Sequence, residues 1–438
     1  MLSAICLLMP RSILFLCLVC GLAMPIWAEP QRLTISEALS MCYERNPELA
    51  AARADLRQTR SAYHLAGVFP TGSFIGGASR GWGPAAASSY SALPRDEYVQ
   101  YQQPFLPFGV KKKGQFVAWL NWQQARAQLF FTKIQLMRQT KDAFYEVLAA
   151  QERLKIFQSN LELARQIFEA SEKSTRGRPS RRLEILASRV QYNQVRQSLV
   201  QTQGDLESNL ADLAPLLGLK RGQELVVEGT LDTEYAHLKL EDLLQLGENS
   251  PALMAVRQAT ESGHEQVKLA SLQGNPVPSL VAVYDFRLPS YIVGAQLNVP
   301  LDWGQIGYDV ESKQRAAAAL DERYRAAQLD LSSEIQKAYA AFQAGASNSA
   351  TYQAEVLLPE EEAVSLIRAD YKAHKLDYDV VLLAQQQLEE IRVEYLRQQL
   401  IERLALDALE EAVGAVLEAV IPAPIEPDLA PEPDLEMP

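Results

Sequence analysis

The sequence contains two copies of one pattern, and this duplication limits the possible folds more than any other feature. The segment that starts at Ile35, ISEALSMCYERNPELAAARADLRQTR, returns from Leu240 as LEDLLQLGENSPALMAVRQATESGHE. Farther along, QQPFLPFG from Gln102 corresponds to NVPLDWG from Asn298, so the offset stays at about 195 to 205 residues. A constant offset predicts two structural repeats of the same design, which we place at residues 29–239 and 240–415.

Each repeat begins with a helix of about 30 residues, followed by two short strands and two much longer helices. The first helix starts at the capping sequence TISE and extends over Thr34 to about Ala66, and its counterpart extends over Leu240 to Leu272. Pro47 and Pro251 lie inside these stretches. A proline cannot donate the backbone hydrogen bond of a helix interior, so we expect a break or a new helix start at both.

The long helices are the most informative elements. No proline occurs between Val110 and Ser174, and apolar residues recur there at alternating spacings of three and four, namely Leu154, Phe157, Leu161, Ala164 and Phe168. This heptad spacing predicts supercoiled partner helices. About 65 helical residues span on the order of 100 Å, which is too long for a compact domain. Such helices must belong to a rod or a tube.

Each long helix is interrupted once and then returns, which predicts two αα-hairpins with a distal tip. The interruptions are RGRP in the first repeat and HKLD in the second. The candidate contact residues at this tip are Arg176, Gly177, Arg178, Pro179, His374 and Lys375. A free-standing antiparallel coiled coil is the alternative interpretation of the hairpins.

Between the helices lie short runs in which apolar and polar residues alternate, as in half-exposed strands. Val99 and Tyr101 fall opposite Gln100 and Gln102, and similar alternation occurs at 279–288 and 291–301, with a weak, glycine-rich strand at 72–82. Runs of about 9 to 11 residues match tilted transmembrane strands, although strands of a soluble sheet would alternate too. Four strands cannot close a barrel, whereas three chains would supply twelve strands and twelve helical columns.

The two ends of the chain differ in character from the repeats. Residues 1–28 have one basic residue, Arg11, an apolar core and a final Ala28, which predicts a secretory signal peptide more readily than a membrane anchor. Residues 416–438 are rich in proline and acids, which predicts a disordered tail. The net charge of −12 argues against a nucleic-acid partner, because phosphates would be repelled.

The sequence resembles the TolC-like outer-membrane efflux proteins over nearly all of residues 32–414. The resemblance rests on LTISEALSMCYERNPELAAARADL from Leu33, AFYEVLAAQERL from Ala143, VPLDWG from Val299, and the duplication itself. Two segments, AFYEVLAAQERL and QPFLPFGVKKKG, are most similar to the CzcC-like heavy-metal branch. The resemblance implies a mainly α chain with a membrane β-barrel: a homotrimer with a twelve-strand barrel in the outer membrane and a helical tunnel in the periplasm. An inner-membrane pump and a periplasmic adaptor would deliver the cargo.

Two further groups of candidate residues follow. In the family, an Asp-x-x-Asp pattern past the tip narrows the closed tunnel, but here those acids fall on Val380 and Leu383. Asp377 and Asp379 therefore stand as displaced gate carboxylates, or as ordinary acids at a helix N-terminus. Lys111, Lys112 and Lys113 follow the second strand, and we interpret them as a basic collar that meets outer-membrane lipid phosphates.

The sequence offers no catalytic, cofactor or metal site. The histidines have no partner at zinc-like spacing, and the glycine-rich GSFIGGASRGWG lacks the lysine and the following helix of a phosphate loop. Cys42 is the one cysteine after the signal peptide, so no disulfide is expected within the chain. An outer-membrane exit duct is thus the favoured function, and a periplasmic coiled-coil adaptor or structural protein is the alternative.

Overall fold

A computed structural model describes residues 31–80, 95–173, 181–219, 225–232, 238–286, 290–301, 303–373, 375–376 and 378–417. The predicted signal peptide lies outside these residues, as does the predicted tail from residue 418 onward. None of the described helices combines the length and the apolar composition needed to cross a lipid bilayer.

The order of elements in the two halves follows the predicted repeat. The first half contains β1 (Gln31–Leu33), α1 (Ile35–Arg45), α2 (Pro47–Ala66), β2 (Ser73–Arg80), β3 (Arg95–Pro104), α3 (Val110–Lys173), α4 (Arg181–Leu216) and β4 (Leu225–Val227). The second half contains α5 (Leu240–Gly247), α6 (Pro251–Leu272), β5 (Val277–Asp285), β6 (Ser290–Asn298), α7 (Gln305–Tyr352), α8 (Leu358–Lys372) and α9 (Tyr378–Val413).

The predicted helix breaks at the two prolines are confirmed. Thr34 caps α1 in a capping box with Glu37. Asn46 then ends α1 and caps α2, its side chain accepting hydrogen bonds from the first backbone N–H groups of the new helix. Ser250 caps α6 in the same way, immediately before Pro251. Proline is tolerated at the first helical position because the N–H that it lacks would have no partner there.

The long helices differ between the repeats. Helix α3 has 64 residues without interruption, which corresponds to a length of about 96 Å. In the second repeat, a π-helical turn at Gln353–Leu357 separates α7 from α8. Pro359 explains this difference, since it cannot donate to a carbonyl one turn earlier and its ring crowds that carbonyl. The sequence showed the proline but not the widened turn before it.

A four-stranded antiparallel sheet joins the two repeats, in the order β2–β3–β5–β6. The central pair is β3 with β5, in which Tyr101 lies opposite Ala282. The strands lie where the alternating pattern predicted them, within a few residues at each end. A second, two-stranded parallel sheet pairs β1 with β4, and the sequence analysis did not predict it.

The helices repeat the lateral order of the sheet. Next to the sheet the neighbours are α2–α3–α6–α7, and farther along the long helices they are α4–α3–α9–α7 with α8. In the sheet, in the helices next to it and in the long helices farther along, elements of the first repeat lie on one side and elements of the second repeat on the other. The chain therefore forms a wall with two lateral edges: a first-repeat edge of β2, α2 and α4, and a second-repeat edge of β6, α7 and α8.

The largest cores lie where short elements cover the long helices. Leu33 of β1 and Val227 of β4 pack against Phe144 and Leu148 of α3. Helix α5 covers α7 and α9 through Leu243, which contacts the cluster that contains Ile335, Phe342 and Leu406. A smaller cluster joins α8 and α9 near the tip, formed by Leu357, Val364, Ala384 and Leu388.

Candidate functional site

The strand register places the predicted apolar residues on one face of the four-stranded sheet. Phe74 lies opposite Tyr101, Tyr101 opposite Ala282, and Ala282 opposite Val293. No described element covers this face: Phe74 is 77% exposed, Val293 77% and Tyr291 83%. Contiguous exposed apolar surface of this kind marks contact with lipid or with another protein. The predicted sharing of one face is thus confirmed.

The opposite face of the sheet carries more polar side chains. Gln100 lies opposite Ile75 and Val283, and Gln102 opposite Ser73 and Val281. On the last two strands, Ser279 lies opposite Gln296, and Val277 opposite Asn298. The sheet therefore has one apolar and one mixed, amide-bearing face, as expected of a wall between lipid and water.

The two strand-to-helix junctions have the same design. Gly109 and Gly304 both adopt positive φ angles, 82° and 99°, which an L side chain rarely tolerates. The residue before each glycine is a large aromatic that no described part of the chain covers: Phe108 is 90% exposed and Trp303 is 91% exposed. The equivalence follows the duplication, since PFG and DWG are corresponding segments.

The three lysines of the predicted basic collar have different surroundings. The ammonium group of Lys111 lies 4.0 Å from the centroid of the Phe69 ring, a cation–π contact. Lys113 forms an ion pair with Glu265 of α6, at 2.5 Å between Nζ and Oε2. Burial opposes the charged form of Glu265, but hydrogen bonds and charge from Lys113 and Lys268 outweigh it and lower its pKa. Lys112 is exposed. The contact of these lysines with lipid phosphates stays a prediction.

Most of the predicted tip lies outside the described residues, including Arg176, Gly177, Arg178, Pro179 and His374. Lys375 is described and exposed. Its backbone N–H donates to the Asp370 carbonyl at 2.9 Å, and its ammonium group lies 3.1 Å from the Asp370 carboxylate. The contact of these residues with an adaptor stays a prediction.

The predicted gate carboxylates are only partly within the described chain. Asp377 lies outside it, and Asp379 lies in the first turn of α9, with its side chain outside the described part. The two positions that carry acids in the resembling family hold apolar side chains here: Val380 is 40% exposed and Leu383 is 67% exposed. A gate at Asp377 and Asp379 stays a prediction.

The sequence analysis missed a buried cluster of charged residues between α3 and α9. The side chain of Lys141 is fully buried, with its Nζ 2.6 Å from Glu410 Oε2 and 3.2 Å from Asp407 Oδ1. Arg138 pairs with Glu411 across the same seam and with Asp142 on its own helix. The sequence did contain a signal for this cluster. Lys141 lies three residues before Phe144, and Asp407 directly follows Leu406, so charged residues interrupt otherwise apolar helix faces.

A cleft of about 330 Å³ opens on α3 between Glu146, Arg153, Asp205 and Asn209. Glu146 and Arg153 lie about 140° to 180° around α3 from Phe144 and Leu148, which pack under β4. Burial and the nearby charge of Asp212 raise the pKa of Glu146. In the described part of the chain, no group of three His, Cys, Asp or Glu side chains is arranged to hold a metal ion.

Comparisons with known proteins agree with this geometry. The family model for Outer membrane efflux protein matches residues 38–219. The cobalt-zinc-cadmium resistance protein CzcC of Cupriavidus metallidurans is 23% identical over 371 residues, which cover 83% of this chain and 86% of CzcC.

Solved outer membrane channels have the same fold. The CmeC channel of Campylobacter jejuni superposes with a TM-score of 0.73 at 12% identity, over 89% of this chain and 87% of CmeC. The open state of the MtrE channel of Neisseria gonorrhoeae superposes with a TM-score of 0.72 at 17% identity, over 88% of this chain and 89% of MtrE. The helical hairpins and the two-faced sheet thus share the fold of these outer membrane channels, and residues 38–219 match the outer membrane efflux protein family model.

Proposed function

We propose that this chain is the outer-membrane exit duct of a tripartite efflux system, acting as a homotrimer that passes cargo from a pump and adaptor to the exterior. The observation that carries the proposal is the wall with two open lateral edges, topped by a sheet whose uncovered face is apolar. A passage of this kind needs no catalytic residues, and its helical part would extend into the periplasm.

The edges of the sheet support closure with further copies. Within the described sheet, β2 and β6 each pair with a strand on one side only. In a bilayer, each backbone group without a hydrogen-bond partner costs several kcal/mol, so these edges must pair with strands of another chain. The first-repeat edge of one copy can meet the second-repeat edge of the next, a heterologous contact that closes into a ring. Three copies supply twelve strands, whereas two would supply eight and leave little lumen.

The helical edges carry apolar side chains that no described element covers. On α4, Val190 is exposed, as are Leu186 and Val200. Leu186 and Val200 each stand two residues before a buried residue, Ser188 or Thr202, and so point about 200° away from it around the helix. On α8, exposed Leu366 likewise points away from Val364, which packs against α9. A helix within a cylindrical wall needs such contacts on both sides.

The finer assignments belong to the same proposal. We place adaptor contacts at Arg176, Gly177, Arg178, Pro179, His374 and Lys375, and a gate at Asp377 and Asp379. We place Lys112 of the basic collar at the lipid headgroups. The repeats themselves would be 29–239 and 240–415. The name of CzcC specifies cobalt, zinc and cadmium, so these ions are the first cargo to test here.

The function is tested by measuring the mass and conductance of the detergent-purified protein in one preparation. A heat-sensitive species of about three chain masses that forms pores in planar bilayers is expected. A water-soluble monomer or dimer without pores would refute the exit duct and favour the periplasmic adaptor. Deletion of the gene should also increase sensitivity to the exported compound, with cobalt, zinc and cadmium tested alongside drugs.

A further inference from the structure

The buried cluster between α3 and α9 joins the two repeats at the level where α1 and α5 cover the long helices. Helix α3 contributes two cations and one carboxylate, and α9 contributes one cation and three carboxylates. The members are Arg138, Lys141, Asp142, Arg403, Asp407, Glu410 and Glu411. The side chains of Lys141, Arg403, Asp407 and Glu410 are at most 6% exposed, whereas those of Arg138, Asp142 and Glu411 are 18% to 36% exposed. A carboxylate in the buried part of the seam is stable as an anion only where cations and hydrogen-bond donors compensate its charge.

Asp407 is the carboxylate whose surroundings compensate its charge least. Its side chain is fully buried, and neither of its oxygens accepts a hydrogen bond from the described chain. Lys141 lies 3.2 Å from Oδ1 and donates a hydrogen bond to Glu410. Arg403 lies 3.9 Å from Oδ2, and its guanidinium group also stacks over the Tyr145 ring. Ion pairs without hydrogen bonds compensate a buried carboxylate poorly, so the neutral acid is favoured.

The helices packed around this seam bring mainly apolar groups to it. Leu243 of α5 and Ile335 and Phe342 of α7 belong to the cluster that holds Leu406 and Leu409. Helix α1 contributes Cys42, and burial raises the pKa of this thiol. It stays neutral near pH 7. Burial is also the largest effect on Asp407, ahead of the attraction of Lys141 and Arg403, and it raises the pKa of Asp407 to about 7.

The same cluster holds the segment that follows α9. Lys141 binds one carboxylate oxygen of Glu410, and the other oxygen accepts a hydrogen bond from the Leu417 backbone N–H at 2.8 Å. Glu411, next to Glu410, pairs with Arg138. Movement of α9 away from α3 would therefore break the ion pairs between the repeats.

We propose that Asp407 is a proton-operated latch between the two repeats: the protonated acid allows α9 to pack on α3, and loss of the proton weakens the seam. A proton bound more tightly in the packed state than in the opened state stabilises packing at low pH. The pKa of Asp407 is raised from 3.8 to about 7, so this stabilisation is lost as the pH rises through about 7. The latch does not depend on the proposed exit-duct function.

Hydrogen exchange of α9 in the purified oligomer tests the latch. After correction for intrinsic exchange rates, the protection of amides at 403–413 should fall about tenfold between about pH 6 and about pH 8. Asp407→Asn keeps a neutral side chain throughout, so its protection should change less than about twofold. Asp142→Asn is the matched control. The pKa of Asp142 is about 6, so its titration accounts for only about a twofold change in protection between about pH 6 and about pH 8, and this variant should keep most of the wild-type decrease.

A wild-type protein whose α9 protection is constant over this range would overturn the proposal. So would Asp407→Asn with the full wild-type decrease. If Asp407→Asn does not assemble, Lys141→Gln gives an independent test: removal of the cation should raise the pKa of Asp407 further and move the decrease above about pH 8. A decrease that stays near pH 7 in that variant would exclude Asp407 as its source.

Discussion

Replacement of Lys141 by methionine is expected to be among the most damaging single changes to the described helices. The side chain of Lys141 is fully buried and pairs with Asp407 and Glu410. Methionine fills a similar volume, but it leaves the Glu410 carboxylate without its cation inside the wall and Asp407 with Arg403 alone. Removal of one partner from a buried ion pair costs about 3 to 5 kcal/mol, because the remaining charge stays desolvated.

The same substitution elsewhere on α3 provides a matched control. Lys155 lies on the same helix and pairs with Glu152 at 2.7 Å, but its side chain is 69% exposed. Lys155→Met removes the same charge and should cost less than about 0.5 kcal/mol, since water solvates the remaining carboxylate. The assay is guanidinium unfolding of the detergent-purified protein, followed by far-ultraviolet circular dichroism, with the midpoints of the two variants compared.

A combined variant separates the lost ion pair from the lost packing. Lys141→Met together with Asp407→Leu and Glu410→Gln removes the unpaired charges, and the new glutamine can still accept the hydrogen bond of Leu417. This variant should recover most of the stability that the single change loses. If Lys141→Met is no less stable than Lys155→Met, the reasoning about buried charge is wrong. A combined variant as unstable as the single one would assign the loss to packing instead.

Three further predictions concern the edges and the turns. Leu366→Asp places a charge on the second-repeat edge and should prevent trimer formation, as measured by native mass spectrometry. The neighbouring Ser365→Asp should still form trimers. Trimers in both variants would contradict the assignment of this edge to the contact between copies. Gly218→Ala should lower the free energy of unfolding by about 1 to 3 kcal/mol, because φ at Gly218 is +66° and a Cβ there would lie 2.7 Å from the Arg45 carbonyl oxygen. The control Gly204→Ala, inside α4, should raise the free energy of unfolding by about 0.5 to 1 kcal/mol in the same assay. Asn46→Ala removes the cap of α2 and its hydrogen bond to the Leu216 carbonyl, and should cost about 1 to 2 kcal/mol; an unchanged unfolding midpoint would contradict this.

The sequence predicted the elements of this fold well, because the signals for them are local. Capping residues, prolines and heptad spacing depend on neighbours within one or two turns, so the breaks at Pro47 and Pro251 and the length of α3 could be predicted. The π-helical turn at Gln353–Leu357 could not, since Pro359 permits either a kink or a widened turn and no local signal distinguishes the two. The candidate site was predicted in part: the apolar sheet face was found, and the buried cluster was not.

The amino-acid sequence by itself predicted two repeats, and it determined that the helices are too long for a compact domain and that the strands have one apolar face. Each of these is a property of periodicity along the chain. Only the tertiary structure decided that β3 pairs with β5, that α3 packs against α9, and that Lys141 meets Asp407 and Glu410. These contacts join residues far apart in sequence, and their stability depends on burial and on charges contributed by the other repeat, which no local pattern records.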